Sequence, residues 1–192
     1  MANYVWNKLI CGKDFLEKYF IDYMPFGQGQ MVFEPYITFN KLFDVSSLDE
    51  YAEKIGTHIS YGFGVRYSEL QSGEFEVLFC TKWRYPIEAI KKTLELEHNV
   101  EWYAVEENNI YVSKFYWDDG VKESVAVIHD PYYDWLGDNM SYGDELEDCD
   151  SDVWFFLENA NVQWQAWDDS DGFKRYEQPA HDVKCPFFNV SE

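Results

Sequence analysis

Three aspartates at alternate positions, Asp148, Asp150 and Asp152, and a second acidic run at Asp168, Asp169 and Asp171 come nearest in this chain to a hard-cation site. Calcium takes oxygen ligands at alternating positions of a loop, and the EF-hand places a glycine sixth and a bidentate glutamate twelfth. Val153 stands where the first run needs its glycine. In the second run Gly172 is correctly placed, but Trp167 occupies position one and Gln178 position twelve. Both runs therefore read as solvated acidic turns rather than metal sites.

Other chemistries find still less. His181 and Cys185 share one helical-type spacing, with Cys149 and His129 elsewhere, whereas zinc needs three or four ligands. No GxSxG elbow frames a serine, and Cys80 falls inside a strand-like run, the place of a packing residue rather than a nucleophile. Tyr61-Gly62-Phe63-Gly64 lacks the third glycine and the lysine-serine ending of a phosphate cradle. The chain is not expected to be an enzyme, and no cofactor motif is found.

The informative chemistry is collective. Residues 118–192 hold 19 acidic against 4 basic side chains, −15 of the net −21. Solvated tails are normally poor in aromatics. This segment instead reads Tyr132-Tyr133-Asp134-Trp135, then Val153-Trp154-Phe155-Phe156-Leu157, then Trp164 and Trp167, so it is expected to fold. A folded, carboxylate-rich surface repels nucleic acid and anionic membrane and attracts a basic groove. Carboxylates on a firm scaffold can imitate a phosphate array, which in B-form DNA amounts to about one charge per 1.7 Å of axis. The expected charged face is Asp144, Glu145, Glu147, Asp148, Asp150, Asp152, Asp168, Asp169 and Asp171, with Tyr132, Tyr133 and Trp135 as anchors in or beside the interface. Direct nucleic-acid binding is disfavoured, because the densest basic patch is only Lys82, Arg84, Lys91 and Lys92.

At 192 residues the chain suffices for one domain with a sizeable core, or a small domain with a large extension. Met1 to Phe15 has no basic region followed by an apolar stretch, and the longest apolar run, Val153 to Leu157, is far too short to cross a bilayer. A soluble, cytoplasmic protein is expected. Cys11, Cys80, Cys149 and Cys185 are widely spread without CxxC pairing, which suits free thiols better than a disulfide framework.

The elements that must carry these residues follow from periodicity. Tyr4 to Cys11 reads as a strand, and Lys13 to Phe20 after Gly12 as a short helix. Pro25 to Gln30 is a loop, and Tyr36 to Phe39 a short edge segment. Ser47 reads as the N-cap of a helix over Leu48 to Ile55, with Glu50 in the capping-box position and Gly56 as the stop. Gly64 to Leu70 and Phe75 to Trp83 form a hairpin, and Pro86 opens a helix to about Glu97. Val100 to Val105, Ile110 to Trp117 and Ser124 to Ile128 form a meander. Asp152 to Trp164 is expected to be a short helix, and Phe173 to Glu192 largely irregular. The predicted class is α+β, with helices on one face of a mainly antiparallel sheet over residues 1–129 and an acidic, aromatic region over 130–192 packed on or beside it.

The opening Ala2-Asn3-Tyr4-Val5-Trp6-Asn7-Lys8-Leu9, the segment Ile37-Thr38-Phe39-Asn40-Lys41-Leu42-Phe43, and Phe79-Cys80-Thr81-Lys82-Trp83-Arg84-Tyr85-Pro86 entering a helix resemble the YubB-like family of small phage and plasmid proteins. The resemblance covers roughly residues 2–117. It departs at Ile55-Gly56-Thr57-His58, which keeps only the middle of the family's Trp-Gly-Thr-Lys-type segment. It implies a mobile-element origin and a ferredoxin-like split βαβ fold, and brings no catalytic residues. Together with the charge, this points to a counter-defence inhibitor. Its partner would be a basic, nucleic-acid-binding host defence protein, such as a CRISPR effector or restriction enzyme. A second class stays open: a non-catalytic module that holds a nucleotide signal in an aromatic pocket, for which Arg66, Lys82 and Arg84 would supply the cations.

Overall fold

The computed structural model describes residues 4–22, 36–106, 111–139, 149–160, 162 and 164–166. Their order is β1 (Tyr4–Cys11), α1 (Lys13–Tyr19), β2 (Ile21–Asp22), β3 (Tyr36–Thr38), α2 (Asn40–Phe43), α3 (Leu48–Ile55), β4 (Tyr61–Glu69), β5 (Phe75–Lys82), α4 (Ile87–Leu96), β6 (Glu101–Glu106), β7 (Tyr111–Trp117), β8 (Val121–Val127), α5 (His129–Asn139), α6 (Cys149–Asn159) and β9 (Gln165–Ala166). Seven strands of three or more residues make one antiparallel sheet, and the two-residue strands β2 and β9 extend its edges. The order across it is β2-β3-β4-β5-β1-β6-β7-β8-β9.

β1 lies in the middle, paired with β5 from Tyr4↔Lys82 to Cys11↔Phe75 and with β6 from Val5↔Glu106 to Ile10↔Glu101. Strand side chains alternate between faces, and β1 uses both. Val5, Leu9 and Cys11 join one core, while Trp6 and Lys8 turn toward the other. The same alternation sends Trp102 and Ala104 of β6 to the first core and Tyr103 and Val105 to the second.

The first core lies under α1 to α4. Trp102 is fully buried there, with Phe20, Phe39 and Phe79 at ring-centroid distances of 6.0, 6.3 and 5.6 Å. Its polar edge is satisfied, since the indole Nε1 donates to Asn7 Oδ1 at 3.0 Å while Asn7 Nδ2 donates to Thr81 Oγ1 and Val5 O. β4 runs close against this core: a Cβ on Gly62 would overlap the Phe79 ring. Its register with β5 then shifts between Phe63 and Arg66, where Gly64 takes φ 63°.

Helix ends follow local chemistry. Ser47 Oγ accepts from the Glu50 amide, and Gly56 closes α3 at φ 81°. The capping box is displaced by one residue, because the Glu50 carboxylate accepts from the amide and hydroxyl of Ser46, which together hold its pKa below the ordinary value.

The expectation of helices on one face holds for α1 to α4 only. α5 and α6 cover the opposite face, where Tyr132, Val153, Trp154 and Phe156 pack with Val105, Val112, Ala126 and Ile128. Aromatic rings bind the two helices together, Tyr132 to Phe156 at 5.4 Å and Trp135 to Phe156 at 5.8 Å. Lys8 ties α6 to the sheet. Its Nζ lies 2.7 Å from Glu76 Oε2 on β5 and 3.0 Å from Glu158 Oε1 on α6, over the Trp154 ring. α6 starts three residues earlier and ends five earlier than the aromatic pattern suggests, and β3 pairs on both sides, leaving β2 at the edge. Among the described residues no helix is long and apolar enough to cross a membrane.

Candidate functional site

α5 was not expected from the sequence, and it organises the described part of the acidic region. Pro131 sits in its first turn, where the missing N–H costs nothing. Tyr132 and Trp135 point into the second core, so the opposite face of the helix is the outer one. That face carries Asp130, Tyr133, Asp134, Gly137 and Asp138, at helical spacings of three and four residues, and all five are exposed. The three aspartates recur every fourth residue, about 6 Å apart along the axis at 1.5 Å per residue. Like charges at this spacing cost a helix a few tenths of a kcal/mol per pair, and the last turn holds no basic residue. Asp130, in the first turn, meets the favourable end of the helix dipole, whereas Asp138 near the C-terminus does not, and burial beneath the row holds the helix.

Tyr132 is buried at 2% exposure and serves the core, whereas Tyr133 is 47% exposed on the acidic face. Trp135 is half-buried, 6.0 Å from Phe155, itself 57% exposed on α6. Asp150 and Asp152 fall in the first turn of α6, a position that favours negative charge. Asp144, Glu145, Glu147, Asp148, Asp168, Asp169 and Asp171 lie outside the described residues, as do His181 and Cys185. Sequence reasoning missed Asp130, Asp134 and Asp138 because each is a lone acid, outside any acidic run. Their four-residue period was the signal.

A second site opens elsewhere on the same sheet face. A cleft of about 540 Å³ is lined by Tyr103, Tyr116, Trp117 and Trp164 with Glu101 and Lys114 among them. The Tyr103 hydroxyl and Lys114 Nζ donate to the two oxygens of Glu101, each at 2.6 Å. Burial raises the Glu101 pKa, but the hydrogen bonds from Lys114 and Tyr103 outweigh it and hold the carboxyl below its ordinary value. Burial and the Glu101 carboxylate push the Tyr103 phenol up to about 12. His98 stacks on Trp117 at 4.0 Å, forming part of the wall. The cation of this cleft is Lys114, not Arg66, Lys82 or Arg84. Arg66 stands opposite Leu78 in the hairpin, Lys82 lies over the Phe63 ring, and Arg84 lines a different cavity.

Among the described residues, no three His, Cys, Asp or Glu side chains gather as metal ligands. Burial pushes the Cys11 thiol up to about 12, which leaves it protonated and unreactive at neutral pH. The fold and these surfaces define an α+β protein with helices on both faces of an antiparallel sheet. No protein family, curated protein or solved structure matches this chain.

Proposed function

We propose that this protein is a counter-defence inhibitor of phage or plasmid origin whose acidic region occupies the basic groove of a nucleic-acid-handling defence complex. A CRISPR effector or restriction enzyme fits that description. Inhibition is by steric and electrostatic occlusion, without turnover. The observation that carries the reading is the outer face of α5, where Asp130, Asp134 and Asp138 form a regular row beside exposed Tyr133. One carboxylate per 6 Å or so is sparser than the charge of duplex DNA, at about one per 1.7 Å of axis. The acidic residues 144–152 and 168–171 supply the remainder in this reading.

The finer reading of the first part is a ferredoxin-like split βαβ unit of the YubB-like kind. It is supported by β1, α1, the β4–β5 hairpin, α4 and β6 in that chain order with strand order β4-β5-β1-β6, the other elements being insertions or additions.

The test is affinity capture from host lysate with a salt gradient. A nuclease or CRISPR subunit released at moderate salt supports charge-driven occlusion, since exposed electrostatic contacts weaken as ionic strength rises. Absence of any protein partner under gentle conditions removes the reading. A non-catalytic small-molecule module is the second reading, favoured by the aromatic cleft around Tyr103 and Trp164, whose size falls within the range of ligand pockets. In that case loss of Trp164 abolishes ligand binding and charge reversal on α5 leaves it intact.

A further inference from the structure

On the opposite face of the molecule, where α3 meets the start of α4, a partly open cavity of about 100 Å³ is lined by Tyr51, Thr57, Arg84, Pro86, Ile87 and Glu88. Tyr51 is fully buried, and its hydroxyl finds no hydrogen-bond partner. A buried polar group left unsatisfied is costly, and native structures retain few of them. Tyr51 and Glu88 both line this cavity, so the unpartnered hydroxyl belongs to one of its walls. Arg84 Nη2 donates to Thr57 Oγ1 at 3.3 Å, which fixes the guanidinium in the wall. α4 runs for ten residues, and no side chain caps its first turn. Ile87 N–H is taken by the Tyr85 carbonyl at 2.9 Å, which leaves the following N–H groups of the first turn and the partial positive charge of the helix start. Three kinds of donor therefore meet in one space. The volume exceeds the roughly 30 Å³ share of a single water.

We propose that this cavity binds a tetrahedral oxyanion of the phosphate class, held by the Arg84 guanidinium, the Tyr51 hydroxyl and the N-terminus of α4. Glu88 is exposed and opposes the anion from the rim, which keeps the affinity modest. The anion is free phosphate or the terminal phosphoryl group of a larger ligand. This inference is independent of the acidic face, which lies across the sheet.

Isothermal titration calorimetry on the full chain in chloride buffer, with inorganic phosphate in one arm and adenosine monophosphate in the other, tests the site. Saturable binding of inorganic phosphate alone identifies the free anion, and tighter binding of the monophosphate identifies a phosphoryl group. Tyr51→Phe removes an unsatisfied hydroxyl, so the variant is expected to fold with unchanged or higher thermal stability while its anion affinity falls about tenfold. Arg84→Gln is expected to lose binding, and Glu88→Gln to tighten it several-fold. No saturable heat in either arm overturns the proposal, as does a folded Tyr51→Phe variant with wild-type affinity.

Discussion

The Trp102 indole donates its one hydrogen bond to Asn7, 95 residues away, and this 3.0 Å contact fixes β6 against β1 inside the larger core. Asn7 spends its amide on Thr81 and the Val5 carbonyl, so one side chain joins three adjacent strands. Asn7→Ala leaves the buried indole N–H without its acceptor, while the Thr81 hydroxyl still donates to the Arg84 carbonyl. A loss of about 1–3 kcal/mol is expected in urea unfolding. Asn7→Ala combined with Trp102→Phe should lose less than the two changes summed, and strict additivity would show that the contact is not the cause.

Lys8 is the second long-range tie. Lys8→Met removes the cation between Glu76 and Glu158 and leaves the carboxylate of Glu76, only 18% exposed, without its partner. The expected cost is about 1–3 kcal/mol, accompanied by earlier hydrogen exchange in α6 than in β1. The further change Glu76→Leu should recover part of that stability. If α6 exchanges unchanged in Lys8→Met, the lysine does not hold the helix.

Gly62 is required by contact rather than by backbone angle. Its missing Cβ leaves room for the Phe79 ring, which is buried at 2% exposure. Gly62→Ala should cost about 1–3 kcal/mol through overpacking. Phe79→Leu in the same chain is expected to relieve the clash, so that the double variant is more stable than the sum of the singles predicts.

The Glu101 carboxyl is held below its ordinary pKa in the folded state, burial being outweighed by Lys114 and Tyr103. Its contribution to stability is therefore present above the unfolded value, near 4.3, and is lost as pH falls through the lower folded value. Glu101→Gln should be less stable than wild type at pH 7, with the gap closing below about pH 4. A gap that persists at pH 2 would assign the effect to packing in the cleft instead.

For the proposed inhibitor, replacing Asp130, Asp134 and Asp138 together by lysine should abolish partner capture while the chain stays folded by circular dichroism, because all three positions are exposed. Reversal of four or more charges between Asp144 and Asp152 should act in the same way. Capture that survives both sets of reversals would remove the electrostatic mechanism.

The sheet was largely legible because strand burial prints itself as alternation. Tyr4–Cys11 was bounded to the residue, and the β4–β5 hairpin and the β6–β7–β8 meander appeared in their places. The capping serine and stopping glycine of α3 carry their own chemistry and were equally readable. α5 escaped because its apolar stripe is narrow and Pro131 and Gly137 interrupt it, so tertiary burial of Tyr132 rather than propensity makes it a helix. The second helical layer was hidden for a related reason. Trp6, Lys8, Leu78 and Tyr103 alternate like residues of a half-exposed sheet, and only the arrival of α6 turns their side into an interior. The cleft at Tyr103 and the cavity at Tyr51 draw residues from distant segments, which no local pattern brings together.

β1 is the first strand in the chain and the middle strand of the sheet. During synthesis it must remain unpaired until Phe75–Lys82 and then Glu101–Glu106 have left the ribosome, because these are its two neighbours. Such long-range pairing pays its loop-closure entropy before any contact rewards it, which slows folding. A nascent chain with both edges of an apolar strand open is also exposed to wrong partners. The central place of β1 thus makes the time taken to translate the stretch from β1 to β6 a hazard of its own. Slowing elongation between β5 and β6 is expected to lower the soluble yield of this protein even though the finished sequence is unchanged.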